Sequence, residues 1–305
     1  MNNTDDKYLN CHLCPRECGV NRVLKKGYCG EPDTPHVAWI GLHKGEEEPV
    51  SGENGSGMFF FTGCTLGCPT CQNIQISNSF RDKTLGKFLS SDEIAKYMLL
   101  LEKKGANTIS FVTAEHFAPS VAESVKIARS NGLKIKTVFN TSGFMKRSTI
   151  EFLLPYVDIW LWDMKTLSPF IAKSYFGLEN YPKVEEEGIK VLVNNNADVI
   201  VRHLVLPSFI KESIDVIKHF GKNYKNNCAF SLMYQFIPPK STTDKKILKK
   251  LTPTDIEFLE NTVFDEGIEN GYIQEMSENE EIWQPDFKKS NPFPDGFAIP
   301  LLDKC

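Results

Sequence analysis

The sequence predicts an α/β protein built on a parallel sheet covered on both faces. Three observations carry this. Short, almost wholly apolar segments recur along the chain. Each is followed by a helix-like segment or by a connection long enough to hold one. The 305 residues, 41% hydrophobic and 24% charged, supply a large core.

The elements follow in order. MFFFT (58–62) reads as a buried strand. SSDEIAKYMLLLEKKG (90–105) is a helix: Ser90 caps it, Glu93 completes a capping box, Ile94, Tyr97, Met98 and Leu101 share a face, and Gly105 ends it. TISFV (108–112) is a strand, PSVAESVKIARSNG (119–132) a helix and KIKTVF (134–139) a strand. Ser148 and Glu151 offer a second capping box, for a short helix before Pro155. DIWLWDM (158–164) is a strand, 182–194 helical, VIVRHLVL (199–206) a strand, 211–221 helical, and AFSLMYQF (229–236) the sixth strand. A last helix, 252–267, has Pro253 near its start. The tail 275–297 is irregular, with aromatics and prolines suited to lying over the sheet. A closed barrel, an incomplete barrel and a doubly wound sheet all fit six such strands. The expected division is a cysteine-rich metal-binding extension (1–50), the core (51–250), and a C-terminal helix with a covering tail (251–305).

Composition excludes several partners. A formal net charge of −4 argues against nucleic acid and against an anionic membrane surface. The start, MNNTDDKYLN, lacks the basic and apolar regions of a signal peptide, and the apolar runs are too short to cross a bilayer. A cytoplasmic protein is expected, in which nine cysteines read as metal ligands or redox groups rather than disulfides.

Cys64, Cys68 and Cys71 form C-x3-C-x2-C directly after the first strand, with Gly63 and Gly67 allowing a tight loop. Zinc or an ordinary iron–sulfur cluster wants a fourth ligand, and no nearby residue offers one. The inference is a four-iron cluster with three irons held by cysteine and one left open. Cys11, Cys14, Cys18 and Cys29 form a complete four-thiol set that suits zinc or a second iron–sulfur cluster equally. Cys228 and Cys305 carry no expected metal role. Glu46, Glu47 and Glu48 read as a solvated turn, and His36 and His43 as neutral surface histidines. Polar groups stand near the carboxyl ends of most strands: TAEHF (113–117), NTSG (140–143), Asp163 and Lys165, Arg202 and His203, Tyr234 and Gln235.

The cysteine spacing after a strand that opens a β/α series resembles the radical SAM superfamily. GEEEPVSGENGSGMFFFTGCTLGCPTCQNIQIS (45–77), with CHLCPRECGVNR (11–22), VRHLVLP (201–207) and SLMYQFIP (231–238), is similar to the branch related to pyruvate formate-lyase activating enzymes, in a subgroup with an N-terminal cysteine block. The resemblance implies a partial (β/α)6 barrel and a 4Fe-4S cluster whose open iron is chelated by S-adenosylmethionine. One electron then splits the sulfonium, and the resulting 5′-deoxyadenosyl radical abstracts hydrogen from a protein or peptide substrate, of which a glycyl residue is the best-known example. It also implies an external one-electron reductant such as flavodoxin or ferredoxin. By the same resemblance, Thr113 and His116 meet the amino group of S-adenosylmethionine, Asn140 and Thr141 its ribose, and Asp163 and Lys165 its carboxylate and the substrate. Arg202 is suited to pair with a carboxylate. Two departures stand out: Thr70 replaces the aromatic residue often found before the third cysteine, and Thr-Ala-Glu-His replaces the usual glycine pair followed by an acid. Two alternatives are kept: a radical enzyme acting on a small molecule or other peptide, and a non-catalytic iron–sulfur or zinc electron-transfer protein.

Overall fold

The computed structural model describes residues 6–77, 84–240, 242–274 and 283–301. Among these, ten strands form one sheet: β1 (His36–His43), β2 (Ser56–Phe61), β3 (Lys87–Phe88), β4 (Thr108–Val112), β5 (Lys136–Thr141), β6 (Ile159–Asp163), β7 (Asp198–Leu204), β8 (Ala229–Met233), β9 (Gly271–Ile273) and β10 (Ala298–Pro300). The order is β10-β1-β2-β4-β5-β6-β7-β8-β9, with β3 beside β1. Every pairing from β2 through β9 is parallel, whereas β1 runs antiparallel to its partners β2, β3 and β10. Among the described residues β9 and β10 do not pair, so the sheet curls into a partial barrel that stays open at one side.

Side-chain alternation separates its two faces. Phe59, Phe61, Phe111, Phe139, Trp160, Trp162, Val201 and Phe230 belong to one large core cluster with the helices Ser91–Lys103, Ala118–Ser130, Tyr181–Asn194 and Ile210–Asn223. Their alternates face inward: Val138, Ile159, Leu161 and Ile200 join Val50 in a separate apolar layer. Trp160 and Trp162 are fully buried, each worth about 3 kcal/mol of burial. Room for Trp162 comes from Gly188, where a Cβ would stand 2.5 Å from the indole ring.

All six expected strands form, the one at 108–112 with the expected bounds and the others with ends moved by up to three residues; Tyr234 and Gln235 fall beyond β8. The Ser90–Glu93 capping box is present. The one at Ser148 is not: that helix starts at Arg147 behind Lys146, and Glu151 instead accepts from Arg147 Nε at 2.8 Å. The first fifty residues and the tail both add strands to the sheet, β1 at one end of the chain and β9 and β10 at the other. Residues 283–301 lie along the open side, where Phe287 and Phe293 pack on Trp39, Met58 and Phe60. Residues 275–282 of the tail and Cys305 lie outside the described residues.

Candidate metal and cofactor site

The carboxyl ends of β2, β4, β5, β6 and β7 open into one cavity of about 460 Å³, a size suited to a cofactor. Cys64, Cys68 and Cys71 line it, as do Thr113, Asn140, Thr141, Asp163, Lys165 and Arg202. The cysteine loop leaves β2 through Gly63 and Gly67, both in the left-handed region (φ 75° and 79°). Leu66 N–H donates to Cys64 Sγ at 3.3 Å and Ser77 Oγ–H to Cys71 Sγ at 3.1 Å. Burial pushes the Cys64 thiol up to about 12 and the Cys68 and Cys71 thiols upward, and each of Cys64 and Cys68 is raised further by its neighbours in the loop. Among the described residues no three His, Cys, Asp or Glu side chains converge as ligands of a single metal ion. The donor set itself, three thiols on one cavity wall with hydrogen bonds to the sulfur of Cys64 and of Cys71, fits an iron–sulfur cluster. Loading would release the protons that burial holds on those thiols.

The facing wall carries charge. Lys165 Nζ donates to Asp163 Oδ2. Burial lowers the Lys165 pKa, but Asp163 and then Cys68 outweigh it, so the ammonium is held above its ordinary value. Tyr181 fixes this corner: its hydroxyl donates to the Asp163 carbonyl at 2.6 Å and accepts from Lys165 N–H at 3.2 Å. Thr113, a β-branched residue, sits at φ 56°, held by its N–H on the Asn140 carbonyl at 2.9 Å. That conformation is strained for a residue with a branched Cβ and is offset by the surrounding wall.

Other groups stand apart from their expected roles. His116 is buried outside the cavity lining; the short turn Glu115–Phe117 carries its ring inward, where Nε2 lies 2.8 Å from the Thr62 carbonyl. Thr141 lines the cavity, yet its hydroxyl donates to Glu115 Oε1 at 2.6 Å, which also accepts from Ser142 N–H at 3.0 Å. Buried Glu115 thus shapes the turn after β5, a role sequence reasoning missed.

Glu46 and Glu47 are not a solvated turn. Arg202 Nε donates to Glu47 Oε1 at 2.9 Å, and its Nη2 serves both Glu47 and Glu46. Burial raises the Glu47 pKa, but Arg202 more than reverses this and holds it low. These carboxylates follow β1, whose end pairs with the start of β2 at His43 and Ser56. They therefore enter the barrel from the end opposite the cysteine loop and line the same cavity. Only Glu48 is exposed. His36 and His43 are buried rather than superficial, the first 3.5 Å from Glu31 and the second 3.6 Å from Glu46. Burial drives His43 down to about 4, so it is neutral at pH 7.

The N-terminal cysteines share one small fold of turns. Cys11 N–H donates to Val20 O at 2.9 Å, Gly19 N–H to Cys11 O at 3.0 Å, and Tyr28 N–H to Cys18 Sγ at 3.3 Å. Burial, reinforced by Cys29, Cys11 and Cys18, pushes Cys14 up to about 12. Cys228 is buried just before β8.

The family model for the Radical SAM superfamily matches residues 58–221, more than half of the chain. Two uncharacterized proteins of Methanocaldococcus jannaschii are similar in sequence. One is 26% identical over 254 residues (82% of this chain, 73% of the relative) and the other 25% identical over 298 residues (88% and 82%). Among solved structures, native anSMEcpe with bound AdoMet shares the fold with a TM-score of 0.52 at 15% identity, covering 69% of this chain and 61% of that one. The FeFe-hydrogenase maturase HydG from Carboxydothermus hydrogenoformans does so with a TM-score of 0.50 at 12% identity, covering 70% and 52%. The chain thus spans less than two thirds of either solved structure.

Proposed function

The chain belongs to the radical SAM superfamily, and from that premise we propose that it abstracts hydrogen from a protein or peptide substrate in the manner of an activating enzyme. Membership implies a 4Fe-4S cluster, S-adenosylmethionine and an external electron donor. When bound, these supply one-electron cleavage of the sulfonium and a 5′-deoxyadenosyl radical.

The chain's own residues do the rest. Cys64, Cys68 and Cys71 hold the cluster. The Asp163–Lys165 pair would meet the carboxylate of S-adenosylmethionine and the substrate, Thr113 at the β4 end its amino group, and Asn140 at the β5 end its ribose. His116 and Glu115 support the walls from behind, and Thr141 serves through Glu115. Arg202, in register with Asp163 on the neighbouring strand, is held by Glu46 and Glu47, which reach it from the opposite end of the barrel. Cys11, Cys14, Cys18 and Cys29 hold a second metal, zinc or iron–sulfur. Flavodoxin or ferredoxin is the proposed reductant and the cytoplasm the proposed location; among the described residues no helix is long and apolar enough to cross a membrane.

One observation carries this reading: three loop cysteines and a half-buried carboxylate–ammonium pair line a single cavity. A second reading, a small polar substrate, is favoured by the Arg202–Glu46–Glu47 group in that same cavity. The test is anaerobic reconstitution with iron and sulfide, followed by reduction with S-adenosylmethionine. Wild type should release 5′-deoxyadenosine and Cys64→Ala should not; a cluster that leaves S-adenosylmethionine intact would favour an electron-transfer protein. A glycyl-radical signal in an added partner protein supports the activating reading. Consumption of a metabolite without such a signal supports the second.

A further inference from the structure

Arg16 stands between Cys14 and Cys18 but makes its hydrogen bonds outside its own block. Its Nε donates to the Thr65 carbonyl at 2.9 Å and its Nη2 to the Leu66 carbonyl at 2.7 Å. Those two residues lie between Cys64 and Cys68. The guanidinium is 3.6 Å from the Tyr28 ring centroid, with the Phe144 ring at 5.8 Å. Tyr28 precedes Cys29, and its hydroxyl would stand 2.9 Å from a Cβ placed on Gly67. The Cys29 carbonyl would stand 2.5 Å from a Cβ on Gly63. Thr62, at the loop's entry, donates to Glu31 Oε1 at 2.6 Å. Both glycines of the cysteine loop are therefore pressed against backbone or hydroxyl groups beside the N-terminal cysteines.

A loop with two left-handed glycines has many shapes open to it, and ordering it costs entropy. Contacts from the N-terminal block fix the first half of the loop, residues 62–67, whereas farther along Thr70 Oγ–H donates to the Tyr175 carbonyl at 2.7 Å. That block has little core to hold itself: Tyr8, Cys11 and Leu13, with Val20 against them. A segment of this size keeps its form through cross-links or metal rather than burial. We propose that the N-terminal four-cysteine block is a clamp that holds the Cys64–Cys71 loop in its ligand-presenting shape, with Arg16 as the positioning residue that transmits the block's own metal loading. The proposal rests on the reading of Cys64, Cys68 and Cys71 as cluster ligands. It adds a coupling: filling the N-terminal site favours filling the second.

The test is amide hydrogen exchange by mass spectrometry on the full chain, purified anaerobically, beside its iron and zinc content. In Arg16→Ala, peptides covering 64–71 should exchange at least about tenfold faster, the expected loss of two charge-assisted hydrogen bonds. The helices Ala118–Ser130 and Ile210–Asn223 should be unchanged. Arg16→Lys keeps the charge without the fork and should give a smaller local rise. Cys11→Ser combined with Cys14→Ser should reproduce the Arg16→Ala pattern at 64–71. Wild-type exchange at 64–71 in Arg16→Ala, or a rise spread evenly over the barrel, overturns the clamp. The cluster reading fails separately, if wild type and Cys64→Ala hold the same iron.

Discussion

Thr113 carries the clearest mark of a position kept for a task. A β-branched residue at φ 56° costs on the order of 1–2 kcal/mol, and glycine would occupy that conformation freely. Thr113→Gly should therefore leave stability within about 1 kcal/mol of wild type, or raise it, in a denaturant titration. It should still weaken S-adenosylmethionine binding, measured by calorimetry on the reconstituted protein, because the wall loses its hydroxyl. A drop in stability without loss of affinity would make Thr113 a packing residue. Glu185 gives a prediction of another kind. It is fully buried and accepts from Trp162 Nε1 at 2.6 Å, and burial raises its pKa to about 8, against the lowering effect of that hydrogen bond. Between about pH 4.5 and 8 the unfolded chain releases this proton while the folded chain keeps it. Folding stability is thus fully present below the lower value and is lost as pH rises toward 8, at up to about 1.4 kcal/mol per pH unit. Glu185→Gln keeps the acceptor for Trp162 and removes the proton. Its stability relative to wild type should rise by a few kcal/mol between pH 5 and pH 8; parallel pH profiles would show that Glu185 is ionised in the folded protein.

Among elements, those with strong local signals were legible. The parallel strands read as apolar runs because both faces are covered, and the Ser90–Glu93 box announced its helix. The last helix carries a further box, Thr252 with Asp255, beside Pro253. β1 was hidden because HVAWIGLH follows a stretch dominated by cysteine, glycine and proline, and it pairs with β2 across a connection that itself contains a helical turn, Glu48–Ser51. Three-residue strands such as β9 and β10 exist only through their partners and carry no periodicity. Of the site, the cysteines and the Asp163–Lys165 pair were legible from their motifs. The Arg202 partners were not, since they lie some 155 residues away in sequence. That group is held by contacts no local pattern encodes, and its cost is testable. Arg202→Met leaves two carboxylates in the barrel without their cation and should destabilise by about 3–5 kcal/mol in urea unfolding. Adding Glu46→Gln should recover part of the loss, because one of the stranded charges is gone. Equal stability of the single and double variants would mean that Glu46 is solvated after all.

At the scale of the whole molecule, the barrel's open side is the feature that local reading could not supply, because whether a sheet closes depends on pairings at its two ends. Among the described residues β9 and β10 remain edges, and residues 283–301 form a cover packed on β1 and β2. The cover is tied to the cysteine loop: Gln72 Nε2 donates to the Trp283 carbonyl at 3.0 Å, Gln75 Nε2 to Asp286 Oδ1 at 3.0 Å, and Phe287 N–H to Gln75 Oε1 at 2.7 Å. Its apolar anchor is Phe293, whose ring lies 5.2 Å from Trp39 and 5.6 Å from Phe60. A truncated core aromatic ordinarily costs about 3–5 kcal/mol. At Phe293, however, the chain has a cheaper response, to release the cover while the parallel sheet stays folded. Phe293→Ala should therefore accelerate tryptic cleavage at the exposed Lys288 and Lys289 by about tenfold or more, for over 1.4 kcal/mol of lost docking energy, and lower the melting temperature of the barrel only slightly. Trp160→Ala, within the outer core, should do the reverse: a large fall in melting temperature and no selective cleavage at those lysines. If both variants melt early and are cut alike, the cover and the barrel unfold as one unit, and the tail is part of the core rather than a layer over the site.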